Sequence, residues 1–195
     1  MIKIGFLASH NGSSARAITE ACRNGTLKGA ATILISNNAD SKALVWARDA
    51  ALKTLVINAT NSQDPDSAIA NAFLDNYVGL VVCSGYMKLI GPKTIASVKG
   101  SVLNVHPALL PKYGGKGMYG KYVHKAVFDA EDAETGITIH LVNDEYDRGR
   151  IIAQKIIPVS SDDSMEMIEE KVKAAEPDFY IKTLQKILSG ELSLS

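Results

Sequence analysis

An asparagine and a histidine stand two positions apart in an otherwise apolar run, "SVLNVHPALLP" at residues 101–111. In an extended segment, residues at this spacing project from the same face, so the side chains of Asn104 and His106 point the same way. An amide and an imidazole on one face can hold the oxyanion that forms when a nucleophile attacks a carbonyl carbon. The alternative is that each side chain satisfies a neighbouring backbone group, and an isolated N-x-H pattern favours this alternative.

A loop rich in carboxylates, "NDEYDRG" at residues 143–149, follows the apolar run "GITIHLV". An aspartate of this loop that reaches His106 raises the pKa of the imidazole and orients its ring, because a nearby carboxylate favours the charged form. Spacing alone leaves open which carboxylate points inward, and many acidic loops are only solvated. Thr138 and His140 share one side of the preceding run, where we expect a hydrogen-bonded structural or supporting role.

The segment "SHNGSSARA" at residues 9–17 is a glycine-bearing turn that leads into a helix. Its backbone amides, serine hydroxyls and helix N-terminus suit a phosphate group. It matches neither the dinucleotide-binding G-x-G-x-x-G pattern nor the P-loop. A strand-to-helix turn with a serine cap is the plainer interpretation. We expect His10, beside this turn, and His124, on a predicted helix, to lie at the surface.

Alternating strands and helices must position these residues. Short apolar runs predict seven strands, and helical patterns fall between most of them, at residues 13–24, 41–51, 67–76 and 119–130. The early strands are apolar almost throughout, which is typical of a parallel sheet with helices on both faces. Ligands of such sheets bind beyond the carboxyl ends of the strands.

Two later segments depart from this simple pattern. The run "GITIHLV" alternates more strongly between apolar and polar residues, which predicts a strand toward an edge of the sheet. The tail over residues 164–188 has apolar residues at helical spacing, so it predicts a helix. Proline lacks the backbone N–H that a helix interior needs, and we therefore expect Pro177 to kink or split this helix.

The bulk composition indicates one compact domain over residues 1–195, large enough to fold without disulfides or structural metal. Lysine plus arginine and aspartate plus glutamate each number 21, so no net charge favours nucleic acid or an anionic membrane. Cys22 and Cys83 form no disulfide framework, and the four histidines have no metal-binding spacing. With neither a signal peptide nor a membrane-spanning run, we expect a cytoplasmic protein.

Three segments in order resemble the folate-dependent formyltransferases: "CSGYMKLIGP", "LNVHPALLPKY" and "GITIHLVNDEYDRGRIIAQ". The resemblance covers nearly the whole chain. It implies an α/β fold, with one domain built on a mostly parallel, doubly wound, Rossmann-like sheet. It also implies transfer of a formyl group from 10-formyltetrahydrofolate to an amine, with no metal. The glycine-serine turn and the chain length favour the members that act on glycinamide ribonucleotide in purine synthesis.

The resemblance also implies roles for individual residues. The catalytic residues are Asn104, protonated His106 and Asp147, which keeps His106 charged; Asp147, rather than Asp144, precedes the glycine-bearing exit of the loop. The ribonucleotide is bound by Gly12, Ser13 and Ser14 at its phosphate and by Lys173, Ala174, Ala175 and Glu176. The folate pocket is lined by Met87, Lys88, Leu89, Ile90, Asn104, Asn143, Asp144, Glu145, Tyr146 and Asp147.

The chain departs from the family pattern at three places. Ser14 replaces an asparagine that usually ends the phosphate turn. The glycine-rich residues 114–120 replace a histidine-bearing segment, and their composition predicts a mobile lid. The helix near residues 62–72 lacks an arginine that some members use toward folate, so the glutamate tail is expected to be held differently.

Other functions remain open at this stage. Hydrolysis of formyltetrahydrofolate and formylation of methionyl-tRNA or of a sugar nucleotide use the same catalytic segment, but relatives with the first two activities usually carry an additional domain. A catalytically silent domain that binds folate or a nucleotide belongs to a different class, and an intact Asn104, His106 and Asp147 argues against it. We expect small-molecule partners only, and the sequence does not choose between a monomer and a homodimer.

Overall fold

The computed structural model describes residues 1–194, which form one twisted sheet with helices on both faces. Its strands are β1 (Ile2–Leu7), β2 (Gly29–Ser36), β3 (Lys53–Val56), β4 (Leu80–Cys83), β5 (Val102–His106), β6 (Glu134–Leu141) and β7 (Ile151–Pro158). Its helices are α1 (Ser13–Arg23), α2 (Lys42–Asp49), α3 (Pro65–Asp75), α4 (Pro92–Ser97), α5 (Lys121–Asp129) and α6 (Met165–Ser189). Within residues 1–194, no helix is both long and apolar enough to cross a lipid bilayer.

The strands lie side by side in the order β3-β2-β1-β4-β5-β6-β7. The first five pair in parallel, whereas β6 runs antiparallel to β5, and β7 runs antiparallel to β6. The predicted mostly parallel, doubly wound sheet is therefore confirmed. The strand β6 lies one place inside the edge and is buried from Thr135 to His140, so its alternation does not mark a solvent-exposed face. The alternation instead arises from two buried polar side chains, Thr138 and His140.

Two apolar layers sandwich the sheet. On one face, α1, α2 and α6 pack against strand residues such as Phe6, Val82 and Leu103. On the other face, α3 and the α4 segment pack against residues such as Leu7 and Val102. Fully burying one large apolar side chain contributes about 1.5–3 kcal/mol, so these layers hold the strand ends in fixed positions.

The C-terminal helix α6 is continuous through Pro177, so the predicted split of this helix is wrong. It begins where the Ser164 hydroxyl accepts the N–H of Met167, and it ends at Gly190 in the left-handed conformation. Its contacts with α1, α5, β6 and β7 compensate for the hydrogen bond that a proline removes.

The short helix α4 was not predicted. Pro92 starts it, and the Asp66 carboxylate accepts its first N–H groups.

Two neighbouring strands, β1 and β4, carry the loops that face each other at the carboxyl edge of the sheet. The Ser9 N–H donates to the Gly85 carbonyl at 3.1 Å, and the Ser9 hydroxyl accepts the Met87 N–H at 2.8 Å. The Ala15 N–H donates to the Ser84 hydroxyl at 3.2 Å. These bonds place the glycine-serine turn after β1 beside the segment after β4, where doubly wound sheets bind ligands.

Candidate active site

Asn104 and His106 lie on β5 and face the same side of the sheet, as the spacing predicts. The antiparallel partner β6 places His140 opposite Asn104 and Thr138 opposite His106. Side chains of directly opposed residues share one face, so the four polar groups form a cluster. His106, Thr138 and His140 are at most 3% exposed, so each polar atom there needs a partner.

His140 orients the amide of Asn104. The Nδ1 atom of His140 lies 2.8 Å from the Leu141 carbonyl, which can only accept, so Nδ1 carries a proton. In the neutral ring, Nε2 of His140 then accepts a hydrogen bond from Nδ2 of Asn104 at 3.2 Å. This bond uses one of the two amide hydrogens of Asn104 and leaves the second for a ligand. The supporting role predicted for His140 agrees with this geometry.

His106 is held between two oxygens. Its Nε2 donates to the Tyr113 carbonyl at 2.7 Å, and its Nδ1 lies 3.5 Å from Oδ2 of Asp147. Burial lowers the pKa of His106 below its ordinary value, although Asp147 and the Tyr113 carbonyl act in the opposite direction. Asp147 therefore acts on His106 in the predicted direction while desolvation acts against it, and a charged His106 stays a prediction.

Asp147 is the loop carboxylate that points inward. Its Oδ1 lies 3.5 Å from Nε2 of His140, and its Oδ2 accepts the N–H of Gly115 at 3.0 Å. Burial acts to raise the pKa of Asp147, but His140 and His106 in their protonated forms, together with this N–H, hold the pKa below its ordinary value. Asp147 has a φ of 56°, a left-handed conformation that aspartate adopts more readily than most residues.

Gly149 allows the loop to return close to β6. A Cβ atom at this position would lie 1.7 Å from the carbonyl oxygen of Leu141, so no side chain fits. The glycine that ends the acidic loop is thus required by close backbone approach.

A hydrogen-bonded clamp fixes the chain directly after His106. The Thr138 hydroxyl donates to the Ala108 carbonyl at 2.7 Å and accepts the Leu110 N–H at 3.0 Å. The side-chain amide of Gln154, on β7, donates to Thr138 and to the Leu110 carbonyl, both at 2.9 Å. Satisfied buried networks of this kind make a segment rigid, so the clamp holds the segment that follows β5.

A small cleft of about 60 Å³ opens beside Asn104, on the side of the sheet that α3 and α4 cover. Its lining residues are Cys83, Tyr86, Lys88, Leu89, Ile90, Asn104, His140, Val142, Asn143, Glu145, Tyr146 and Asp147. Of the predicted folate residues, only Met87 and Asp144 do not line it. Sequence reasoning missed Cys83, Tyr86 and Val142, whose apolar surfaces carry no chemical pattern.

The turn after β1 has the features of a phosphate cradle. Gly12 has a φ of 62°, and a Cβ there would lie 3.0 Å from Cβ of Ala43. The helix α1 begins without a side-chain cap from either serine, so the alternative of a serine cap is wrong. Among residues 1–194, nothing accepts the backbone N–H groups of Ser13 and Ser14. These groups remain available to an anion.

The predicted ribonucleotide residues on α6 have different surroundings. Glu176 lies beside α1 and accepts a hydrogen bond from the Ser14 hydroxyl. Lys173 is exposed, and its ammonium pairs with Glu169 one turn earlier. Ala174 is exposed, whereas Ala175 packs against the apolar cluster around Val172. The structure therefore joins Glu176 to the glycine-serine turn and packs the partly buried Ala175 against the core, because consecutive helical residues face different directions.

Two histidines outside the cluster differ from each other. His10 is exposed, as predicted. The surface position expected for His124 is wrong: this residue of α5 is 2% exposed, and its Nδ1 has no partner among residues 1–194. Burial lowers the pKa of His124 below its ordinary value, although Glu169 of α6 acts to raise it. The amphipathic pattern of α5 could have revealed this, since His124 follows the buried Val123.

The chain is similar to proteins of known activity. A family model described as "Formyl transferase" matches residues 2–184. The phosphoribosylglycinamide formyltransferase of Haemophilus influenzae is 35% identical over 100% of this chain and 91% of that protein. The chloroplastic phosphoribosylglycinamide formyltransferase of Arabidopsis thaliana is 35% identical over 95% of this chain but 65% of its own length.

A solved structure has the same fold. Glycinamide ribonucleotide transformylase 1 from Symbiobacterium toebii superposes with a TM-score of 0.90 at 30% identity. The match covers 100% of this chain and 91% of that chain.

Proposed function

The chain belongs to the formyl transferase family, and from this premise we propose that it transfers the formyl group of 10-formyltetrahydrofolate to the amine of glycinamide ribonucleotide, a step of purine synthesis. The observation that carries the proposal is the convergence of Asn104, His106 and Asp147 beside one cleft. These are the oxyanion donors and the carboxylate that acyl transfer to an amine requires. The names of the relatives support the choice of substrates.

The reaction is direct, and its charges balance within the two substrates. The amine lone pair attacks the formyl carbon, and the π electrons of the carbonyl move to its oxygen. The second amide hydrogen of Asn104 and an N–H of His106 hold this oxyanion. When the tetrahedral carbon collapses, its bond to the folate nitrogen breaks. That nitrogen takes up a proton, the new amide nitrogen loses one, and a water relay connects them.

His106 takes up a proton from solvent as the oxyanion forms and returns it when the tetrahedral carbon collapses. In its neutral form, the ring donates through Nε2 and faces the Asp147 carboxylate with an unprotonated Nδ1. A negative oxygen nearby raises the pKa of His106, and the charged ring then donates from both nitrogens. Because both nitrogens already face oxygens, the formyl oxygen must displace either the Tyr113 carbonyl or Asp147. Asp147 thus acts by favouring the charged ring when substrates are bound.

The two substrates approach from different layers of the fold. The glycine-serine turn and Glu176 belong to the α1 and α6 side, where we place the ribonucleotide. The cleft beside Asn104 lies on the α3 and α4 side, where we place the pterin. The bonds from Ser9 to Gly85 and Met87 bring the two regions together at the carboxyl edge of the sheet, and we place the meeting of the amine and the formyl carbon at the polar cluster on β5 and β6.

We further propose that residues 1–195 act as one formyltransferase domain in the cytoplasm, as a monomer or homodimer, with no metal and no nucleic acid as partner. Equal numbers of acidic and basic residues support a small-molecule enzyme. Ser195 lies outside the described residues.

The decisive assay follows formyl release with and without glycinamide ribonucleotide. We expect formyl transfer when the ribonucleotide is present and no release with water alone. Release in water alone would identify a hydrolase. Binding of the folate without any release would identify a silent binding domain. Transfer to a sugar nucleotide or to methionyl-tRNA, but not to the ribonucleotide, would identify another member of the family.

A further inference from the structure

Ser14 occupies the third position of the glycine-serine turn, but its side chain does not face the turn's open side. The residue is fully buried, and its hydroxyl donates to Oε1 of Glu176, which is 162 positions away in sequence. A serine hydroxyl has a single hydrogen to donate. While this bond is made, Ser14 therefore cannot donate its hydroxyl hydrogen to a phosphate.

Glu176 has one carboxylate oxygen left to bind a ligand. Oε1 accepts from Ser14, and Oε2 has no partner within the part of the chain that the structure describes. The side chain is half-buried beside the first turn of α1, whose free N–H groups favour a negative charge. An ionised carboxylate only accepts hydrogen bonds, so its natural partner in a small-molecule substrate is a hydroxyl group.

Resting on the function proposed above, we propose that Ser14 is a positioning residue for the ribonucleotide. Its hydroxyl holds the Glu176 carboxylate against α1, so that the free oxygen accepts a hydrogen bond from a ribose hydroxyl. The phosphate is then bound by the backbone N–H groups of the turn rather than by the side chain of Ser14. Ser14 therefore sets affinity for the ribonucleotide and leaves the chemical step unchanged.

The charges around Glu176 give this arrangement a dependence on pH. Burial raises the pKa of Glu176 above its ordinary value, whereas Ser14 and Lys173 act to lower it. The other titratable neighbour is Tyr180, also on α6, whose own pKa is raised by burial, so it stays uncharged. Removing the Ser14 hydroxyl raises the pKa of Glu176 further, and the carboxylate is then protonated at a higher pH.

The test measures kcat and both KM values for wild type, Ser14→Ala, Glu176→Gln and the double variant, at neutral and mildly acidic pH. We expect Ser14→Ala to raise KM for the ribonucleotide about tenfold, as for loss of a hydrogen bond to a charged group. Its kcat and its KM for folate stay unchanged. The increase in KM for the ribonucleotide grows as the pH falls. The double variant binds the ribonucleotide no more weakly than Glu176→Gln alone.

Thr19→Ala is the matched control, because Thr19 is a buried hydroxyl on the same helix that donates to the Ala15 carbonyl instead. It should leave all the constants unchanged. An unchanged KM for the ribonucleotide in Ser14→Ala overturns the inference. So does a double variant whose increase in KM is the product of the two single increases, because Ser14 would then bind the ligand independently of Glu176. A wild-type protein that does not formylate the ribonucleotide overturns the proposed function itself, so the two failures are distinguishable.

Discussion

His106 sits between the Tyr113 carbonyl and the Asp147 carboxylate in surroundings that disfavour its charge. Replacement by alanine removes the proposed oxyanion donor, and we expect His106→Ala to lower kcat by about a hundred- to a thousandfold. The fold should survive, since the clamp around Thr138 does not depend on the imidazole. Single-turnover rates and thermal unfolding check both expectations.

His10→Ala is the control for this variant, because His10 is exposed and outside the polar cluster. It should turn over like wild type. Near-normal turnover of folded His106→Ala would remove His106 from the mechanism.

The influence of Asp147 on His106 can be measured without substrates. The carboxylate acts to raise the pKa of His106, so Asp147→Asn should lower that pKa further below its ordinary value. NMR titration of the His106 ring should show a midpoint at lower pH than in wild type. Asp144→Asn, in the same loop, should leave the midpoint in place. A midpoint that rises in Asp147→Asn would contradict the assigned contact.

Among the elements, the clamp made by Thr138 and Gln154 links the two strands β6 and β7 to the segment after His106. Gln154→Leu leaves the Leu110 carbonyl buried without its side-chain donor, which typically costs about 1–3 kcal/mol. We expect a lower urea midpoint together with a lower kcat, because Leu110 and its neighbours shift. Gln185→Leu, at an exposed amide that donates to the Thr26 carbonyl, should change neither by much. A Gln154→Leu variant with the kcat of the wild type would show that the clamp does not position the site.

The glycine-rich residues 114–120 form the element that we expect to move. Gly115, Gly117 and Gly120 all have positive φ, and no atoms crowd the positions of their missing side chains. If the loop closes over bound substrates, trypsin should cut after Lys116 more slowly when both ligands are present. Cleavage after Lys28, in the exposed turn before β2, should keep its rate. Equal cleavage of the loop with and without ligands would count against a lid.

The sequence predicted some of these elements better than others. The spacing of Asn104 and His106 suffices to put both on one face, because strand periodicity is local. The choice of Asp147 over Asp144 came from family resemblance, since a left-handed backbone and a close approach at Gly149 decide it. The bond between Ser14 and Glu176 spans 162 positions, and no local pattern encodes such a contact. The buried His124 was missed although α5 carries a local signal for it, since His124 lies beside Val123 and three positions before Val127 on the buried face of the helix.

At the scale of the whole molecule, the two proposed binding regions lie beside each other at the carboxyl edge of the sheet. The proposed direct transfer requires both substrates to be bound together, because it forms no formyl-enzyme intermediate. Initial rates at varied concentrations of both substrates should therefore give intersecting double-reciprocal lines. Parallel lines would indicate a formyl-enzyme intermediate and would contradict direct attack.

The reversal of direction at β6 brings the acidic loop back across the sheet to the histidines of the central strands. A slip of one residue in this pairing would turn Thr138 and His140 to the opposite side of the sheet, so the register of β6 against β5 fixes the whole polar cluster at once.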